Sequence, residues 1–256
     1  MTRSPEKKSI DWDERIVPDK TAKGIVSVHL KRYVFAQDFC ESKTVLDIAC
    51  GSGYGTHYLA PFVKKIIGAD RSSEAIEYAR RRYAHPNISF EVMDACNMNF
   101  PDHTFDVVCS FETIEHVEQV ETYLREVVRV LKNGGIYLVS TPCVTKTTGN
   151  PKNPFHFQEW SPSDFRRLLS LYFDSIQLFG QKRKESIFHR VLRKLDPWNL
   201  HAKIHAPRFT NTLSRMTGTT GFSEMDLNDF DLLEEDFKGA DYIIGLCTNR
   251  GSHANR

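Results

Sequence analysis

Short apolar runs recur along the chain at residues 45–48, 65–69, 88–92, 105–109 and 135–140, and helix-periodic stretches separate most of them. Such alternation predicts a parallel sheet with helices on both faces. The clearest helix covers 120–131, where Val120, Tyr123, Leu124, Val127, Val128 and Leu131 share one face and Asn133-Gly134 follows as a stop. A second covers 73–83, opening on a cap-like serine and ending before His85-Pro86. After Pro142 the pattern changes. Residues 142–160 form a polar stretch with three prolines, and a helix with proline in first position follows from Ser161. Strands are expected over 171–179 and, to close the chain, over 242–247.

Composition narrows the class. With 256 residues, 40% hydrophobic and 26% charged, the chain suits one core with peripheral additions. Lys plus Arg number 34 against 33 Asp plus Glu, which gives no electrostatic footprint for a long nucleic acid. The six cysteines lack a C-x-x-C pair and sit mostly in apolar runs, so they read as reduced. The first residues hold no apolar signal core and no run reaches about 18 apolar residues, so a cytoplasmic protein is expected.

Charge is unevenly placed: 182–205 holds seven Lys or Arg against two acids, and 221–241 eight acids against one Lys. Within the basic stretch Ile187, Phe188, Val191, Leu192 and Leu195 recur at helical spacing, flanked by Arg190, Arg193 and Lys194 and ending near Trp198. Such a helix has two readings. It can lie in a membrane interface as a peripheral anchor, or bury its apolar face on the chain's own core while its basic face pairs with the acidic segment. The expected organisation is an N-terminal helical lid over 1–43 and a main domain over 44–256, with a helical insertion at about 181–240.

Between the first strand and the next helix stands D-I-A-C-G-S-G, residues 47–53. A strand, a glycine turn and a helix make a concave backbone surface that dinucleotides and adenosyl ligands both use. Dinucleotide sites place three glycines at G-x-G-x-x-G with an apolar residue before them, so that pyrophosphate meets the helix N-terminus. Here Asp47 would repel an anion and suits a cation, the amino group and sulfonium of S-adenosylmethionine (SAM).

With these residues the chain resembles the class I SAM-dependent methyltransferases. The resemblance implies a Rossmann-like α/β fold with a mostly parallel seven-stranded sheet. It implies cofactor contacts from Asp47, Ala49 (where the family usually has its first glycine), Gly51 and Gly53. Asp70 falls where the family holds the ribose hydroxyls, which a carboxylate can do by accepting two hydrogen bonds from a vicinal diol. Arg71 would flank the adenine, and Asp94 and Ala95 would read its edge. Ser110, in the fourth-strand motif F-D-V-V-C-S-F-E, is a further expected contact.

Methyl transfer to an alcohol calls for a base or a metal ion, and His116 and His156 are the candidate catalytic groups. In methyltransferases acting on RNA 3′-terminal 2′-hydroxyls, an E-x-x-E-H motif and a later histidine hold a divalent ion. Glu112, Glu115, His116 and His156 fall on those positions, with Gln158 where that group has a phenylalanine. A second resemblance, through E-R-I-V-P at 14–18, the helix containing His29, Arg32 and Tyr33, and N-P-F-H-F-Q-E-W at 153–160, is to methyltransferases of bacterial surface-polysaccharide biosynthesis. It implies O-methylation of a sugar or glycan hydroxyl, on a small or lipid-linked acceptor. RNA methylation is the alternative, opposed by the near-neutral charge. A non-catalytic partner-binding scaffold is the alternative of another class, opposed by the complete set of cofactor positions.

Overall fold

The computed structural model describes residues 15–184 and 225–249. A single sheet organises them, in the order β3-β2-β1-β4-β5-β8-β6-β7. Strands β1 (Thr44–Ile48), β2 (Lys65–Asp70), β3 (Ile88–Val92), β4 (Phe105–Phe111) and β5 (Leu131–Pro142) run parallel. Then β8 (Tyr242–Thr248) inserts antiparallel between β5 and β6 (Ser175–Arg183), and β7 (Phe230–Glu234) pairs antiparallel at the edge. The order reverses between β1 and β4, and at such a switch point the crossovers part and leave a crevice beyond the carboxyl ends of the strands.

Period-two alternation builds the two cores. Leu46 and Ile48 of β1 and Val108 of β4 face one side, where α4 (Val120–Val130) brings Tyr123, Leu124 and Val127. Val45, Val107 and Cys109 face the other, beneath Tyr33, Ala36 and Cys40 of α1 (Lys23–Cys40). The short α2 (Tyr54–Leu59) follows the glycine turn. Helix α3 (Ser73–Arg82) is capped by Ser72, one residue before the expected serine, whose hydroxyl accepts from the Ala75 amide at 3.2 Å. At α5 (Pro162–Leu169) Ser161 is the cap and proline takes the first position, as expected.

Four expectations are corrected. The sheet has eight strands rather than seven, because the acidic stretch contributes β7. The expected helical insertion at about 181–240 gives up residues to β6 and β7 at its two ends. There Lys182–Asp236 (2.6 Å) and Lys184–Asp231 (3.4 Å) join the basic and acidic stretches. Asn133-Gly134 does not end a helix: α4 passes directly into β5, and the pair sits at a register shift in the β4–β5 ladder with Gly134 at φ 74°. The strand expected over 171–179 starts at Ser175 instead, since Leu171, Tyr172 and Phe173 donate back to Leu168 and Leu169 carbonyls as a turn. The amphipathic stretch from Ile187 to Trp198 lies outside the described residues.

The described cysteines are all free. Among the described residues no helix is long and apolar enough to cross a membrane.

Candidate active site

A cavity of about 1220 Å³ opens at the switch point. Its floor is the turn after β1. Ala49 (φ 59°), Gly51 (φ 56°) and Gly53 (φ 82°) all take left-handed backbone, so the chain reverses tightly. A Cβ built on Gly51 would meet nothing within 4 Å, so this backbone is open to a ligand. Gly53 faces inward instead, where a Cβ would come within 2.7 Å of Ala79 and 2.8 Å of Phe90. It sets the packing of the turn on α3 and does not line the cavity.

Asp70, at the end of β2, is 5% exposed and lines the cavity. Its Oδ2 accepts the Gly51 amide (3.0 Å) and its Oδ1 the Ser72 amide (2.8 Å), which fixes the carboxylate against the turn. Arg15 also reaches Oδ1, at 3.1 Å, and Ser52 Oγ donates to the Ile16 carbonyl at 2.6 Å. The segment before α1 is thereby pinned across the mouth. Arg71, Asp94 and Ala95 all line the same end, with Asp94 Oδ1 shaping its loop by accepting the Cys96 amide at 2.8 Å.

Besides Gly53, two more expected cofactor residues, Asp47 and Ser110, do not reach the cavity. Asp47 shares the face of Val45 and points beneath α1, where its carboxylate accepts from Thr56 Oγ1 (2.6 Å) and from the Tyr33 hydroxyl (3.2 and 3.3 Å). Burial pushes its pKa up to about 7 in spite of these donors. It acts through Tyr33, which does line the cavity, and whose ring needs Gly55: a Cβ there would lie 1.9 Å from it. Ser110 alternates to the opposite face and accepts the Tyr123 hydroxyl at 2.7 Å, deep in the core.

Of the α1 residues, His29 and Tyr33 line the cavity and Arg32 lies fully buried behind them. Arg32 donates to Gln181 Oε1 (2.9 Å), stands 3.6 Å from Glu112 and places its guanidinium carbon 4.2 Å from the centre of the Tyr242 ring. Burial and Arg32 hold His29 well below the ordinary histidine range, so it is neutral. Glu112, at the end of β4, takes a left-handed φ of 52° and is held by Ser140 Oγ at 2.8 Å.

The acceptor end is built from the loop after β4 and the stretch 153–160. His116 lines the cavity, and its Nδ1 lies 3.1 Å from the Phe155 carbonyl. A carbonyl only accepts, so Nδ1 carries the proton and Nε2 the lone pair. The His156 ring meets that of His116 edge-on, centroids 4.6 Å apart. Its Nδ1 is held by Glu159 (2.7 Å) and its Nε2 by the Asn153 amide (2.9 Å), so His156 supports the wall without lining it. Beneath both sits Glu115, 1% exposed. Burial, then the charge of Glu112, pushes its carboxyl well above the ordinary range, which favours the protonated acid. Its own backbone amide, Arg32 and Thr141 offset this in part, yet both Glu115 oxygens are buried without a hydrogen-bond partner of good geometry.

Of the four expected metal positions, Glu115, His116 and His156 converge, with one ligand atom from each within 4.8 Å of the others. Glu112 stays with Arg32 and Ser140. Arg15, Ile16, Phe155 and Phe157 also line the cavity; they stand in the stretches 14–18 and 153–160 that carry the second resemblance, which gave them no individual role.

A parallel sheet with its cleft at the switch point, a left-handed turn after the first strand and acids beyond the next two define the Rossmann-like class I methyltransferase fold. Residues 46–139 match a family model described as a methyltransferase domain. Over 133 residues the chain is 35% identical to a Mycolicibacterium smegmatis protein named "Probable S-adenosylmethionine-dependent methyltransferase", a match covering 51% of each chain. It is 32% identical over 165 residues to phosphoethanolamine N-methyltransferase 1 of Arabidopsis thaliana, covering 63% of this chain and 32% of that one. The chain thus spans about half or less of the length of these relatives. In structure it resembles the YcgJ protein of a Bacillus species, with a TM-score of 0.56 and 20% identity over 88% of this chain and 100% of that one.

Proposed function

We propose that this chain is a SAM-dependent methyltransferase that methylates a hydroxyl of a sugar or glycan. The observation that carries it is the division of one cleft: Asp70, Asp94 and the open backbone of Gly51 on one side of β1, and His116 on the other. The lining suits the cofactor's parts. Asp70 can accept from a ribose diol, Ala95 and Asp94 can meet an adenine edge, and Tyr33, His29 and Glu112 wall the methionine end.

When bound, SAM supplies a methyl group on a positively charged sulfur, open to in-line attack. Holding acceptor and methyl in line accounts for much of the rate. The attacking hydroxyl must lose its proton, and His116 Nε2 can take it, since the Phe155 carbonyl fixes the tautomer. His156, locked by Glu159 and Asn153, keeps the His116 ring from turning.

A second reading assigns a divalent cation to Glu115, His116 and His156, favoured by the two buried carboxylate oxygens without hydrogen bonds. Binding would displace the Glu115 proton and the Asn153 contact, so ion affinity would rise with pH. The RNA alternative shares this convergence, without Glu112, and the scaffold alternative gains no support from the described residues. A lipid-linked acceptor and peripheral membrane contact rest on the stretch from Ile187 to Trp198, outside those residues.

Methyl transfer to sugar nucleotides, lipid-linked oligosaccharides and short RNAs, each with and without EDTA, tests these readings. Transfer to a sugar hydroxyl that survives chelation supports the histidine base. Loss on chelation and recovery with a divalent ion supports the metal. No SAM binding by calorimetry sinks the proposal.

A further inference from the structure

Two large aromatic side chains stand in the cleft beside the candidate base. Phe155 is 46% exposed and Phe157 51%, and both line the cavity. They are fixed at the backbone: the Phe155 carbonyl holds His116, and the Phe157 amide donates to the Glu115 carbonyl at 2.7 Å. Between them His156 turns inward to Glu159. The backbone under both rings is thus held, and the rings present apolar surface to the cleft that His116 lines.

Charge around them is one-sided. Among the described lining residues, the cations are Arg15 and Arg71, both at the Asp70 end. Near His116 the formal charges are Glu112 and Glu118, and only Glu112 has a cation, Arg32, beside it. Among the described lining residues, a phosphate or carboxylate here would meet Glu118 with no Lys or Arg to receive it. A neutral pyranose fits both features, because its C–H face is apolar and lies well on the negative face of an aromatic ring, while its hydroxyls stay free at the edge.

We infer that the acceptor is an uncharged sugar ring seated on Phe155 and Phe157, with Glu118 turning away phosphorylated and carboxylated acceptors. This rests on the methyltransferase reading and separates the chain from the phosphoethanolamine relative, whose named acceptor carries a phosphate.

Saturation-transfer NMR on the full chain loaded with S-adenosylhomocysteine, using methyl mannoside, methyl glucoside, their 6-phosphates and methyl glucuronide, tests it. Neutral glycosides should receive saturation on their ring protons and bind at least about tenfold more tightly than the anionic ones. Phe155→Ala with Phe157→Ala should weaken them about tenfold and leave S-adenosylhomocysteine affinity within about twofold. Glu118→Lys should raise affinity for the 6-phosphates at least fivefold. No contact with any neutral glycoside, or undiminished contact in the double variant, overturns the inference. So does a melting temperature lowered by more than about 5 °C in the double variant, which would mean that the chain itself covers these rings. Failure to bind S-adenosylhomocysteine would instead overturn the methyltransferase reading.

Discussion

The two ends of the cleft are made differently. At the Asp70 end the ligand-facing groups are backbone, or side chains at strand ends whose carboxylates are tied to neighbouring amides: Asp70 to Gly51 and Ser72, Asp94 to Cys96. At the His116 end two distant stretches hold one another, His116 through the Phe155 carbonyl and the Glu115 carbonyl through the Phe157 amide. The first end is prescribed by local conformation, and the second exists only once the chain has folded. Binding and turnover should therefore respond separately to substitution.

The largest effect should come from the folded-in end. His116→Ala is expected to lower kcat by about 10²- to 10⁴-fold while SAM affinity stays within a few-fold, read by single turnover and calorimetry. Unchanged kcat would remove the base. Next comes Asp47, whose pKa rises from 3.8 to about 7 through burial. Between those values the folded protein keeps a proton that the unfolded chain has released, so stability falls as pH rises, by at most about 4 kcal/mol. Glu115 acts in the same direction. Melting temperature should decline from pH 5 to pH 8, and Asp47→Asn should flatten the decline; an identical slope in the variant would refute Asp47 as its source.

Asp70→Ala should weaken SAM binding by about ten- to a hundredfold, the worth of a charge-assisted hydrogen bond at about 1.5 to 3 kcal/mol. It should leave the single-turnover rate at saturating SAM within a few-fold. A variant with normal SAM affinity would break the contrast between the two ends. The smallest effect is expected at Ala49. Glycine there relieves left-handed strain at φ 59° but adds freedom to the unfolded chain, so Ala49→Gly should change stability by less than about 1 kcal/mol and leave SAM affinity unchanged. A large loss would show that the Ala49 methyl itself contacts the ligand.

Legibility in the sequence follows the same division. Gly51 is legible from the strand, glycine turn and helix, whereas Asp70, Asp94 and Ala95 take their places from the resemblance to class I methyltransferases, and all four line the cleft. Asp47 and Ser110 were assigned to the cleft by motif position, although alternation along β1 and β4 turns each into a core, one toward Tyr33 and the other toward Tyr123. His116 and His156 read as a pair, but which of them lines the cleft depends on bonds from Asn153 and Glu159 that the motif at 153–160 does not specify. Arg15, Phe155 and Phe157 stand in quoted motifs, but only tertiary contact shows that they line the site. The extra strand β7 was hidden within a run of acids, residues that seldom build strands unless cations such as Lys182 and Lys184 stand opposite.

At the far edge of the sheet, Arg183 of β6 lies opposite Phe230 of β7, so the chain departs and returns at neighbouring positions. The two described strands close the connection by pairing with each other, and closing a connection costs only about 0.6 kcal/mol more each time its length doubles. This pairing is several strands away from the glycine turn, on the other side of β8 and β5. That edge works as a socket: sequence can be lengthened, shortened or exchanged there while the strands that shape the cleft keep their register.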